Sequence, residues 1–222
     1  MFTGLIAETG TIVSFEKKLG AARLRVTAPT LATQLHTGDS IAVSGVCLTA
    51  LAITPTGFEA DLLDETLRRT SLESLAPGSS VNLELPTPAG TPLGGHVVQG
   101  HVDGVGRLVS ITAVTMGTES ETDWLLRLTA PATITRYIVE KGSLSVNGIS
   151  LTVAAVERVE HGDALVTIAI IPHTYAVTNL HTLQPGDPIN LEVDVLAKYA
   201  EQRSHAAKAE TVTELSLIEM GF

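Results

Sequence analysis

The chain has 222 residues, 44% of them hydrophobic, enough for two small packed cores. Its formal net charge of −10 argues against nucleic acid and anionic membranes as partners, and the apolar run at residues 164–172 is far too short to cross a bilayer. A single cysteine, Cys47, rules out an intrachain disulfide, and the opening residues carry neither a basic stretch nor a signal-length apolar run, so a soluble cytoplasmic protein is expected.

In chain order, residues 11–14, 23–26, 40–43 and 81–85 alternate or are β-branched and read as strands. Thr37-Gly38-Asp39 and Ala76-Pro77-Gly78 mark turns between them. Short helices are expected around residues 29–34 and 131–140, and residues 61–70 read as a strand end passing into a turn or short helix. Residues 86–95, rich in Pro and Gly, form a linker. Beyond Asp194 the period changes: Leu196, Tyr199, Ala200 and Arg203 fall at helical spacing. A lone helix this short is marginal in water, so its apolar side needs a surface to cover.

The chain repeats itself. Val43-Ser44-Gly45-Val46-Cys47-Leu48-Thr49 returns as Val146-Asn147-Gly148-Ile149-Ser150-Leu151-Thr152. Leu24-Arg25-Val26-Thr27-Ala28-Pro29 returns as Leu126-Arg127-Leu128-Thr129-Ala130-Pro131, and the block ending Asn82-Leu83-Glu84 returns ending Asn190-Leu191-Glu192. Gly4-Leu5-Ile6 is matched by Gly100-His101-Val102. A period of roughly 100 residues is too long for a solenoid unit, so each copy is a domain. Many short strands with Gly and Pro turns predict an all-β sandwich or barrel, used twice.

On a strand, residues two apart share a face, so Cys47 and Thr49 point one way, as do Ser150 and Thr152. A free cysteine alone reads as a buried small hydrophobe. Its matched placement against Ser150, with polar atoms kept in both copies, argues instead for a polar pocket per copy. His96 and His101, five apart on a presumed strand, would face opposite ways, and no other cluster has metal-ligand spacing, so no metal is expected. Lys141 reads as a solvated turn residue and Asp194 as the N-cap of the helical tail. Nucleotide, phosphate-loop and hydrolase-elbow motifs are absent.

Six separated motifs, among them Met1-Phe2-Thr3-Gly4-Leu5-Ile6, Cys47-Leu48-Thr49, Glu65-Thr66-Leu67-Arg68, Gly94-Gly95-His96-Val97-Val98-Gln99-Gly100-His101-Val102-Asp103 and Gly148-Ile149-Ser150-Leu151-Thr152, resemble the riboflavin synthase family of α-chain type. The resemblance runs from Met1 to about Tyr199. It implies two tandem six-stranded Greek-key β-barrels, residues 1–97 and 98–194, with a C-terminal α-helix in an oligomerisation tail, residues 195–222. It implies a homotrimer that turns two molecules of 6,7-dimethyl-8-ribityllumazine into riboflavin and 5-amino-6-ribitylamino-uracil without a cofactor, at sites between one subunit's first barrel and its neighbour's second.

By the same resemblance, first-barrel contacts fall on Gly4, Leu5, Ile6, Cys47, Leu48, Thr49, on Asp61, Leu62, Leu63, Asp64, Glu65 and Thr66, and on Gly100, His101 and Val102. Second-barrel contacts fall on Lys141, Ser150, Leu151 and Thr152 and on Ala169, Ile170, Ile171, Pro172, His173 and Thr174. Catalytic candidates are Ser40, Cys47, His101, Ser150, Thr152 and Asp194. His101 or a hydroxyl network with Ser150 is expected to move the methyl proton, Cys47 or Ser40 to sit near the ring carbon that accepts a nucleophile, and Asp194 to help from the neighbouring subunit. Ser44 and Asp64 depart from the family pattern, which usually has Asn and often Pro there. Relatives of this fold that bind lumazine or flavin without turnover, as optical antennae, are the rival; retention of Lys141, Ser150 and Thr152 favours the enzyme.

Overall fold

Alternation of buried and exposed residues along short β-branched runs rolls each half of the chain around its own core. The computed structural model describes residues 1–114 and 122–209. The first half contains β1 (Glu8–Lys18), β2 (Ala21–Thr27), β3 (Ser40–Val43), β4 (Val46–Thr49), β5 (Leu51–Thr54), β6 (Gly57–Leu63), the short helix α1 (Asp64–Arg69) and β7 (Ser80–Glu84). The second contains β8 (Gly104–Ala113), β9 (Trp124–Ala130), α2 (Ala132–Thr135), β10 (Ser143–Val146), β11 (Ile149–Arg158), β12 (Ala164–Ile170), α3 (Pro172–Val177) and β13 (Pro188–Val193), followed by α4 (Val195–Ala209).

The second half is a closed barrel in the order β10-β11-β12-β9-β8-β13. The first follows the same order, but its seven strands form a sheet that runs from β4 to β5. Those two pieces correspond to the single strand β11. The break falls at Ala50; just beyond it, inside β5, Ala52 adopts a left-handed φ of 43° and the pairing with β6 slips between Leu51 and Thr54. The six-stranded expectation therefore holds for the second barrel, and the first is the same barrel with one strand broken in two. Ile12, Leu24, Val26, Ile41, Phe58 and Leu83 fill the first core, and Leu126, Leu128, Leu144, Ile168 and Leu191 the second.

The helices are shorter than the pattern predicts. Residues 29–34 supply one tight 3-10 turn, Leu31–Gln34. Of residues 131–140 only α2 is helical, since Thr133, Ile134 and Thr135 are poor helix formers and Lys141 turns back at a φ of 63°. Asp194 caps α4 as expected: its Oδ1 accepts from Leu196 N at 2.9 Å. Lys198 Nζ, 2.6 Å from Asp103 Oδ1, and Glu201, paired with Arg136 and bonded by the Tyr137 hydroxyl, tie α4 to its own barrel. Leu196 and Tyr199 on α4 remain exposed, at 65% and 59%. The rest of the expected tail lies outside the described residues.

A pseudo-twofold seam joins the barrels. Asn82 Nδ2 donates to the carbonyl of Asn147 at 2.9 Å, and Asn190 Nδ2 returns the bond to the carbonyl of Ser44 at 2.8 Å. Along the seam Phe2 and Val98 exchange backbone bonds of 2.7 and 3.1 Å, pairing the chain's first residues with the start of the second copy.

Candidate active site

β4 and β11 each turn one polar stripe outward. Cys47 is half-buried and Thr49 exposed on β4, opposite Ala42 and Ser40 of β3; Ser150 is half-buried and Thr152 exposed on β11, opposite Ser145 and Ser143 of β10. Leu48 and Leu151 between them point into the cores, so only their backbone reaches the outer face.

The segments that wall these stripes are crossed. The Gly100 carbonyl accepts from Cys47 N at 2.9 Å, and a Cβ on Gly100 would stand 2.6 Å from Cys47 Cβ. The Gly4 carbonyl accepts from Ser150 N at 2.8 Å, and a Cβ there would stand 2.6 Å from Ser150 Cβ. Only glycine, which also supplies the left-handed φ of 76° and 81°, permits this approach. Ile6 packs on the second core and Val102 on the first. Gly4, Leu5 and Ile6 therefore belong to the second barrel, not to the first as the resemblance was mapped. Gly100 and Val102 lie against the first barrel.

Buried carboxylates hold both segments. Thr3 N and Oγ1 donate to Glu84 Oε1 at 2.6 and 2.7 Å, and Gly4 N to Oε2 at 2.9 Å. Gln99 N, Gly100 N and His101 N donate to Glu192 at 2.6, 2.9 and 3.0 Å. Burial pushes both carboxyls above the usual range, against the pull of these donors. The recurring Asn-Leu-Glu block was the available signal for this pair, read above only as evidence of repetition.

The histidine that reaches Ser150 is His96. Its Nδ1 lies 2.6 Å from Ser150 Oγ, while the exposed His101 is held beside Cys47 of the other barrel. Burial lowers the His96 pKa, and the charge of Asp194 partly restores it. The strand premise for the two histidines fails, because Val98 is held only by its isolated bridge to Phe2 and residues 94–97 carry no strand. His96 has no counterpart in the first copy, so the repeat gives no sign of it.

The remaining candidates divide between the rims. Asp61 is gripped by Arg23 at 2.6 and 2.7 Å, Leu62 faces the core, Leu63 is exposed, and Asp64 and Glu65 pair with Arg68 and Arg69 on α1, which also holds Thr66. Equivalently, Ala169 is exposed, Ile170 faces the core, Ile171 is exposed, and Pro172, His173 and Thr174 open α3. Lys141 is exposed where α2 turns toward β10, its N donating to Val153 O at 2.8 Å. Among the described residues no group of His, Cys, Asp and Glu could hold a metal ion, and no helix is long and apolar enough to cross a membrane. Hollows of about 330 and 570 Å³ are lined by other residues, and one of about 260 Å³ is bordered by Ser40; Cys47, Thr49, Ser150 and Thr152 line none of the three.

A lumazine binding domain model matches residues 3–86 and again 99–194. The chain is 44% identical to riboflavin synthase of Mycobacterium tuberculosis over 208 residues, 93% of this chain and 100% of that one. The chain belongs to the riboflavin synthase family. It is also 38% identical to riboflavin synthase of Bacillus subtilis, across 100% of both chains. Among solved structures, LumP complexed with riboflavin superposes with a TM-score of 0.77 at 24% identity, over 87% of this chain and 99% of that one, a likeness of fold. The second barrel thus carries a half-buried His96 set against the Ser150 hydroxyl, and the first carries the half-buried Cys47 thiol at the matching strand position.

Proposed function

We propose that the chain is a riboflavin synthase, a transferase that moves a four-carbon unit from one 6,7-dimethyl-8-ribityllumazine to another and releases riboflavin and 5-amino-6-ribitylamino-uracil. The atoms balance without a co-reactant: the four carbons lost by the donor are those gained by the acceptor. The observation that carries this reading is the twinned outward stripe, Cys47 with Thr49 and Ser150 with Thr152, on matching strands of two copies of one lumazine binding domain.

The substrate brings much of the chemistry. The anion left when its C7 methyl loses a proton delocalises into the ring, so the protein has mainly to pair, orient and manage protons. Holding two reactants in attack geometry supplies roughly 7–11 kcal/mol. His96, held below its ordinary pKa by burial, takes the methyl proton together with Ser150, and Asp194 acts on His96 within its own chain. Cys47 or Ser40, beside His101 on the first barrel, meets the ring carbon that accepts a nucleophile. The stripes face outward, which suits a site where one chain's first barrel meets another's second and two lumazines face each other. The exposed Leu196 and Tyr199 of α4 suit the packing of three such helices in a cytoplasmic homotrimer.

The test is to mix the purified protein with the lumazine and follow riboflavin fluorescence. One riboflavin per two lumazines consumed supports the enzyme; tight binding without conversion supports an antenna protein. Sedimentation equilibrium reads the trimer. Mixing inactive Cys47→Ala and Ser150→Ala chains restores turnover if each site draws on two chains.

A further inference from the structure

Each barrel's buried carboxylate holds the wall of the other barrel's stripe. Glu84 is on β7 of the first barrel, yet the backbone N–H groups it accepts belong to Thr3 and Gly4, and the Gly4 carbonyl accepts from Ser150 of the second. Glu192 is on β13 of the second barrel, yet it accepts from Gln99, Gly100 and His101, and the Gly100 carbonyl accepts from Cys47 of the first. Both carboxylates are almost completely buried and bonded through both oxygens, so neither segment shifts without breaking charge-assisted bonds.

We propose that Glu84 and Glu192 are positioning residues wired across the seam: Glu84 sets ligand affinity at the Ser150 face, and Glu192 sets it at the Cys47 face. This rests on the reading that lumazine and its product occupy those two faces. The wiring couples the two sites of one chain, since a ligand that tightens Gly4 or Gly100 pulls on a carboxylate rooted in the other barrel.

The chain carries one reporter in each barrel. Its single tryptophan, Trp124, is paired with Ile170 in the second barrel and stacks on Tyr175 of α3 at 3.8 Å. Its single cysteine, Cys47, lies on the first face and is half-buried. Riboflavin is titrated into the full-length protein while Trp124 quenching and protection of Cys47 from iodoacetamide are followed in parallel. In Glu84→Gln an amide NH2 meets a backbone N–H, and the riboflavin concentration for half-quenching of Trp124 rises about tenfold while half-protection of Cys47 moves less than about twofold. Glu192→Gln gives the reverse. If a Gln variant does not fold, Glu84→Asp or Glu192→Asp, which keeps the charge but shortens the reach, is read in the same way. An effect confined to each variant's own barrel, or an equal loss at both faces, overturns the wiring alone. Wild-type protein showing neither quenching nor protection overturns the site assignment and the wiring with it.

Discussion

His96 Nδ1 lies 2.6 Å from Ser150 Oγ, and among the described residues His96 Nε2 is buried without a hydrogen-bond partner. One ring nitrogen is thus committed to the hydroxyl, and the other makes no hydrogen bond among the described residues. A histidine and a hydroxyl paired at this distance can pass a proton between them.

His96→Gln and Ser150→Ala are each expected to lower kcat by about 10²–10⁴, with a smaller change in KM. The double variant loses little more than either single one, because the two groups act together. Single-turnover conversion of the lumazine measures all three. Full turnover in both single variants removes the pair from the mechanism.

Asp194→Asn is expected to shift the acid side of the rate profile. His96 is held below its ordinary pKa by burial, so the neutral, base-competent form survives below the usual histidine range. Its contribution to stability is present above the unfolded histidine pKa and lost as pH falls through the lowered value. Asp194 opposes the shift, so removing its charge lowers the pKa further and moves the acid limb of kcat to lower pH. Asparagine still accepts from Leu196 N, which keeps the cap on α4. A limb that stays put or moves up contradicts the assignment of His96 as the base.

The strands and the duplication were legible because both depend on local pattern: alternation along residues 23–26, turn residues at Gly38 and Gly78, and the recurring block around Cys47 and Ser150. The docking of Gly4 on the second barrel was not. Repetition shows that Gly4 and Gly100 are equivalent, but which barrel each one touches is decided by the crossing of Phe2 and Val98 at the seam. His96 was weighed only as a partner of His101 for a shared metal, on a presumed strand, whereas the neighbouring Gly95 fits against the Thr3 carbonyl, where a Cβ would stand at 2.1 Å. The break between β4 and β5 had no glycine or proline to announce it.

Ser44→Asn is expected to stabilise the protein by about 0.5–1.5 kcal/mol. Asn147 accepts from Asn190 N at 2.9 Å, whereas Ser44 makes the equivalent bond to Asn82 N at only 3.3 Å. Both residues are left-handed, at φ 44° and 47°, a region asparagine tolerates better than serine. The 330 Å³ hollow bordering Ser44 has room for the larger amide. The urea midpoint rises at unchanged slope if the seam accepts the side chain; a fall means that it does not.

Gly45→Ala and Gly148→Ala are each expected to destabilise the protein by about 2–6 kcal/mol, combining left-handed strain with overpacking at the seam. A Cβ on Gly45 would stand 2.7 Å from Gly148 N, and one on Gly148 would stand 2.8 Å from Gly45 N. Backbone rather than a movable side chain blocks the new atom, so the barrels must part, which strains the reciprocal bonds of Asn82 and Asn190. Gly78→Ala is the control: its φ of 94° carries comparable backbone strain, but a Cβ there meets nothing within 4 Å. Urea unfolding of the three variants separates the contributions. Losses at Gly45 and Gly148 no larger than that at Gly78 would mean that the seam yields freely and does not fix the two barrels relative to each other.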